Sequence, residues 1–258
     1  LLRQGKTVDA ITADAILTPS AKDLLKSAQP RNAVVTKPAI GLSKPVGPIS
    51  STSSQSDLDA FFFTEELEEL KVQICDVGRR MWERAYVDGN GGNIAIRVAD
   101  DLALCTPTLV SKGFMKPADL CLVDLEGDQK AGKKKRTSEI LMHLEIMKRQ
   151  PKAKATAHCH PPHATAFAVA GVEPPTCMIP EIEVFIGKVP IAPYRTPGTP
   201  EMGKLVADLV DKHNTVLMGN HGAVSWSHQN VEDAYFKMEI LEAYCRTIWV
   251  ASRLGTPL

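Results

Sequence analysis

Two histidines stand one residue apart in Ala157-His158-Cys159-His160, near the middle of the chain. The run before them, Ala153 to Ala157, is small and apolar enough for a strand. In a strand, side chains two apart share a face, so His158 and His160 project side by side while Cys159 points away. Two imidazoles on one strand face can reach a single metal ion, although an H-x-H alone is equally compatible with two chance histidines, stacked or capping the next helix. Two further stretches weigh against chance. Asn214 to Trp226 reads as a buried strand, a glycine-flanked break at His221 and a second strand, and a histidine in so open a break suits a ligand better than a packed core residue. Thr137-Ser138-Glu139 opens an apolar-periodic helix (Ile140, Leu141, Leu144, Met147) and sets a carboxylate upstream of the histidine pair. Three histidines with one carboxylate make a zinc-type ligand set, which a substrate could enter by displacing the carboxylate.

Positioning these groups takes a layered α/β domain. Thr64 to about Tyr86 reads as an amphipathic helix with Leu67, Leu70, Ile74, Val77, Met81 and Trp82 on one face. Val87 to Gly92 is a glycine-rich turn, after which Ile94, Ile96 and Val98 alternate as a strand. Residues 102–106 and 120–124 are further strands, the second turning at Glu126-Gly127-Asp128, and Lys130 to Arg136 is a basic loop that reads as a solvated face. The Glu139 helix stops at Gln150-Pro151, and His163 to Ala170 is a short helix closed by Gly171. Val189 to Ala192 is a strand piece. Thr199-Pro200-Glu201 starts a helix through Val210, and Asn230 caps a long last helix that ends at Gly255. Short connections argue that most strand pairs are antiparallel.

Length and composition set the limits. The chain has 258 residues, zero formal net charge and 44% hydrophobic residues, enough for one sizeable domain with an appendage. A neutral balance gives no electrostatic case for nucleic acid or a membrane surface. No apolar run approaches the roughly 20 residues that span a bilayer, and no secretory signal is visible. The chain begins at Leu1 rather than Met, so its true start is expected upstream. The six cysteines form no C-x-x-C pair and mostly sit in apolar runs, which reads as reduced thiols of a cytosolic protein. Residues 1–56 form an extension ahead of a domain over 57–258. In it Thr18 can cap a helix with Pro19 at its first position, and Ala21, Leu24, Leu25 and Ala28 form a narrow stripe. Residues 37–55 are a Pro, Gly and Ser linker. Such a helix is either an arm packed on its own core or a docking peptide for another protein.

Six segments together resemble the class II aldolase/adducin family, in its order and spacing. They are Gly92-Asn93-Ile94-Ala95, Thr106-Pro107-Thr108, Thr137-Ser138-Glu139, His158-Cys159-His160, Pro193-Tyr194 with Pro197-Gly198-Thr199, and Asn220-His221-Gly222. The resemblance spans about residues 65–250 and implies an α/β/α three-layer sandwich, here with a mostly antiparallel central sheet. It also implies a metal-dependent enzyme, with one Zn2+ per subunit held by His158, His160, His221 and Glu139, and Glu139 doubling as the base that moves the proton on and off an enediolate. The ion would hold the enediolate oxygens and neutralise their charge. A phosphorylated substrate needs hydroxyl and backbone donors near a helix start. Thr137 and Ser138 are the candidates there, with Gly92 and Asn93 as a second wall and Thr108 as a third.

The chain departs from the family at two places. Relatives often carry glycine where Leu109 stands, and a leucine does not take a positive φ cheaply; either the loop is unstrained there or the phosphate site is reshaped, with Lys112 and Gly113 close enough to compensate. The acid serving the leaving aldehyde fragment is a tyrosine in the fuculose-phosphate branch, but no tyrosine lies between His160 and Tyr194. Glu181, in Ile179-Pro180-Glu181-Ile182-Glu183, is the candidate instead. Tyr194 reads as structural, and His143, His163, His213 and His228 as surface or supporting residues.

The implied activity is cleavage of a ketose 1-phosphate, such as L-fuculose or L-rhamnulose 1-phosphate, to dihydroxyacetone phosphate and lactaldehyde. Alternatives within the family are a sugar-phosphate 4-epimerase, whose members tend to carry Asp where this chain has Glu139, and a methylthioribulose-phosphate dehydratase. An adducin-like structural module lacks the metal histidines, and all three are present here. The resemblance further implies a homotetramer with sites completed between subunits. The tail resembles those of bacterial microcompartment enzymes, so residues 18–28 are expected to meet shell proteins and the enzyme to work in the cytoplasm or inside such a compartment.

Overall fold

The computed structural model describes residues 48–255. The docking helix expected over residues 18–28 and the linker up to residue 47 lie outside them. The elements run in the order α1 (Gln55–Phe62), α2 (Glu65–Glu83), β1 (Asn93–Ala99), β2 (Leu102–Cys105), β3 (Cys121–Asp124), β4 (Gln129–Ala131), α3 (Ile140–Arg149) and β5 (Ala155–Cys159). They continue with α4 (Pro162–Ala170), α5 (Pro180–Phe185), β6 (Ile191–Ala192), α6 (Pro200–Ala207), β7 (Thr215–Met218), β8 (Gly222–Ser227) and α7 (Val231–Leu254). Polar caps start the long helices where the sequence places them. Thr64 Oγ1 accepts from Leu67 N, Thr199 Oγ1 from Met202 N, and Asn230 Oδ1 from Asp233 N.

One sheet carries all eight strands of the described residues, in the order β4-β3-β2-β1-β5-β8-β7-β6. It is mixed, which corrects the expected mostly antiparallel sheet: β6 lies parallel to β7, beside antiparallel ladders. The reason is the connection. The chain between Ala192 and Thr215 holds α6, and a crossover with a helix returns a strand in the same direction, whereas tight hairpins reverse it.

The side chains of the strands alternate between two cores. Ile94, Leu104, Leu122, Ala157, Cys159 and Leu217 pack with Ile74, Tyr235 and Leu241 of α2 and α7. Ala103, Val123, Val216 and Val224 pack on the opposite face with Ile140, Leu144, Met202 and Val206 of α3 and α6. Helices therefore cover both faces, giving three layers. The same alternation decides the fate of β5. With Ala155, Ala157 and Cys159 on the α2/α7 side, Thr156 and His158 belong to the α3 side.

The turn before β1 depends on Gly92, which has φ +70°. A Cβ there would lie 2.5 Å from Val87 Cγ1 and 2.9 Å from the His158 carbonyl oxygen, so only glycine lets β1 enter the sheet against β5. After β2, Leu109 adopts the left-handed conformation expected to be unfavourable for it, with φ +57°. Its side chain is 80% exposed, and its N–H donates to Asn90 Oδ1 at 3.0 Å, which offsets part of the strain. Left-handed backbone costs a leucine about 1–2 kcal/mol, and glycine returns some of that as unfolded-state entropy. Leu109→Gly is therefore expected to raise stability by up to about 1 kcal/mol, read as a higher urea midpoint; a fall of that size would show that the side chain contributes packing.

Candidate metal centre

Three imidazoles meet where β5 ends and the β7–β8 hairpin turns. His158, His160 and His221 each offer a ring nitrogen, and these nitrogens lie within 4.8 Å of one another. The ring centroids form a near-equilateral triangle with sides of 4.9, 4.8 and 4.9 Å. His158 is fully buried and comes from β5 itself, whereas His160 lies just beyond it, fixed by its N–H to the Tyr86 carbonyl at 2.7 Å. His221 sits in the three-residue loop between Met218 and Gly222, closed by its N–H to the Met218 carbonyl at 3.0 Å. Asn220 takes φ +56° in that loop, a conformation asparagine tolerates. Gly222 makes room for the rings: a Cβ there would lie 2.6 Å from His160 Cδ2 and 3.3 Å from His158 Cε1.

Glu139 faces this triangle. It occupies the N-cap position of α3 but makes no side-chain cap hydrogen bond. Its carboxylate lies 3.3 Å from His158 Nε2 and 3.0 Å from His221 Nε2, and accepts from Asn93 Nδ2 at 2.6 Å. Burial alone would push its pKa up; His158, His221 and Asn93 outweigh that and hold the carboxyl well below the usual range. Burial pulls His160 down to about 3, so its ring is neutral at ordinary pH.

The donor set fits a divalent ion. His158 Nδ1 donates to the Ala223 carbonyl at 2.8 Å, which leaves a lone pair on Nε2. That nitrogen is 3.1 Å from His160 Nε2, a separation that requires a proton or a cation between two neutral rings. His221 Nε2 is close to Glu139 yet is a buried polar atom without an aligned hydrogen bond. Three imidazoles and a carboxylate with unsatisfied, convergent lone pairs are what a zinc-type ion needs.

Beside the triangle, two loops are laced together. Thr108 N donates to the Lys135 carbonyl at 2.9 Å and Thr137 N to the Thr106 carbonyl at 3.0 Å. This brings Thr108, the exposed Ser138 and the buried Thr137 together, and the Thr137 hydroxyl accepts from Glu139 N at 3.3 Å. Below the first loop, the buried Lys112 ammonium donates to the carbonyls of Asn90 at 3.1 Å and Val110 at 2.9 Å. Burial lowers its pKa to about 8, against the opposing pull of Glu139.

Two expected site residues are found elsewhere than the sequence suggested. Asn93 is no open wall for a phosphate: it is buried, and both ends of its carboxamide are committed inward, to Glu139 and to His143. Glu181 is exposed on α5, because Ile182 is the buried residue of that short helix and its neighbours turn outward. No hydrogen bond or ion pair among the described residues joins it to the histidines. His163 is tied to Glu242, whose carboxylate caps the start of α4. His213 bonds the Lys188 carbonyl, and His228 is exposed. His143, read from sequence as surface or supporting, is fully buried. Its place four residues after Glu139, on the same helical face, was the available signal.

The family model for the class II aldolase and adducin N-terminal domain matches residues 72–249. An L-fuculose phosphate aldolase of Methanococcus maripaludis is 32% identical over 71% of this chain and 96% of its own length. A 3-oxo-tetronate 4-phosphate decarboxylase of Cupriavidus necator is 32% identical over 72% of this chain and 85% of its own. The solved L-fuculose-1-phosphate aldolase of Thermus thermophilus superposes with a TM-score of 0.64 at 26% identity, covering 73% of this chain and 98% of that one.

Because Gly222 leaves space for two of the three rings, Gly222→Ala is expected to weaken Zn2+ affinity about 10–100-fold, measured by competition with a chromophoric chelator. Unchanged affinity would mean that the rings do not need this approach.

Proposed function

The chain belongs to the class II aldolase and adducin family, and from that premise we propose that it is a metal-dependent aldolase acting on a ketose 1-phosphate. The products in this reading are dihydroxyacetone phosphate and an aldehyde, lactaldehyde when the substrate is fuculose or rhamnulose 1-phosphate. The observation that carries it is the ionised Glu139 carboxylate held against two of three convergent imidazoles, beside a rim of hydroxyl groups. His158, His160 and His221, with Glu139 at rest, are the ligands in this proposal, and a bound divalent ion supplies charge stabilisation for an enediolate.

The chain's own residues do the remainder. The rim of Thr108, Thr137 and Ser138 binds phosphate through hydroxyl and amide donors at the start of α3, with the Lys112 charge beneath. Cleavage breaks the bond between the third and fourth carbons, and its electron pair remains on the ketone-bearing fragment. Glu139 then delivers a proton to the third carbon, and in the reverse direction removes it. The fourth-carbon hydroxyl must lose a proton as it becomes the aldehyde. Glu181 is the proposed acceptor, from a neighbouring copy in a homotetramer; its exposure on α5 supports a role between subunits.

A second reading has its own support. Loss of carbon dioxide from a 3-oxo-4-phosphate acid leaves the same enediolate and needs no acceptor for a hydroxyl proton. Glu139 alone, the one carboxylate within 4.0 Å of the His158, His160 and His221 nitrogens among the described residues, suffices for it, and a decarboxylase is among the relatives.

The deciding experiment offers Zn2+-loaded protein fuculose 1-phosphate, rhamnulose 1-phosphate and 3-oxo-tetronate 4-phosphate. Dihydroxyacetone phosphate with lactaldehyde is the expected outcome; carbon dioxide from the third substrate alone would establish the second reading in its place. In either case Glu139→Gln is expected to cut turnover by about 100-fold or more while Zn2+ still binds.

A further inference from the structure

A chain of hydrogen bonds runs inward from the metal centre. Asn93 Nδ2 donates to Glu139 Oε2 at 2.6 Å, Asn93 Oδ1 lies 2.5 Å from His143 Nε2, and His143 Nδ1 lies 2.6 Å from Thr156 Oγ1. Asn93 is 4% exposed, and His143 and Thr156 are 0% exposed, so water does not substitute for any partner. Three elements meet here: β1 gives Asn93, α3 gives His143 and Glu139, and β5 gives Thr156.

Donor and acceptor chemistry leaves one arrangement. An ionised carboxylate only accepts, so the amide edge facing Glu139 is the NH2 edge. The carbonyl edge of Asn93 then faces His143 and requires a donor, so the proton of the ring sits on Nε2. Burial pulls the His143 pKa down to about 3, so the ring is neutral and Nδ1 is bare. The Thr156 hydroxyl therefore donates to Nδ1. Every link is set by the one before it.

We propose that His143 is a positioning residue for the metal centre: by donating to the Asn93 carbonyl it anchors the carboxamide whose NH2 edge meets Glu139, and so holds that carboxylate against the histidines. Without the Nε2–H donor, the Asn93 carbonyl becomes a buried acceptor with no partner, and the carboxamide loses the anchor that aims its NH2 group at Glu139. The inference rests on the reading of Glu139 as ligand and base.

The test uses the full chain with Zn2+ as probe. His143→Leu keeps volume and removes the donor; His143→Gln restores an N–H that can reach Asn93. His143→Leu is expected to weaken Zn2+ affinity by about tenfold. On whichever substrate is turned over, it should lower kcat about tenfold or more with KM within about twofold, and His143→Gln should recover most of both losses. In an Asn93→Ala background, His143→Leu should cost little more, since its effect passes through Asn93. A 15N-histidine spectrum of the unsubstituted protein should show the Nε2–H form at this site. Full additivity with Asn93→Ala, or an Nδ1–H ring, would overturn the proposal. If no substrate on the panel is turned over, the affinity and spectral arms still decide it; if His143→Leu fails to fold, His143→Gln and the spectrum do.

Discussion

A negative charge held inside the protein is the constraint to which the centre of this molecule answers. The Glu139 carboxylate is largely removed from solvent, and an unpaired buried carboxylate is too costly to persist in its ionised form. An amide donor at 2.6 Å stabilises it, and the two imidazole nitrogens at 3.0 and 3.3 Å do so through the proton or divalent ion they hold. Those partners arrive from β1, β5 and the β7–β8 hairpin, so the carboxylate can stay charged only when three separate parts of the sheet are in register with α3. Fold and site are in this sense one object: slipping β5 by a residue would turn His158 into the α2/α7 core and leave Glu139 unpaired.

The layers supply that register. Alternation along β1, β2, β3 and β5 fills two cores, and a strand whose small residues belong to one core must present the intervening residues to the other. Glycine acts at two points of close approach, Gly92 against the His158 backbone and Gly222 against the imidazoles. The helix start contributes by omission. Glu139 stands where a capping side chain would be expected and makes no cap, so its carboxylate is available to the histidines.

Much of this was legible in the sequence because it rests on local periodicity and caps. The H-x-H strand, the His221 break, and the helices begun at Thr64, Thr199 and Asn230 follow from spacing within a few residues. What was not legible depends on partners far along the chain. The parallel β6 follows from a crossover that strand patterns do not reveal, and α1, β4 and α5 are too short to show a period. The inward commitment of Asn93 and its bond to His143 arise only when β1 and α3 come together. Leu109 ran against expectation because an exposed side chain and an Asn90 hydrogen bond let a loop tolerate a strained residue.

The proposed chemistry depends on His158, His160 and His221 binding one divalent ion together. X-ray absorption at the zinc edge of the Zn2+-loaded full chain examines that coordination without reference to any substrate. Three imidazole nitrogens at about 2.0–2.1 Å, with the remaining scatterer an oxygen, are the expected result. Fewer than three imidazoles, or a sulfur scatterer at about 2.3 Å, would contradict it.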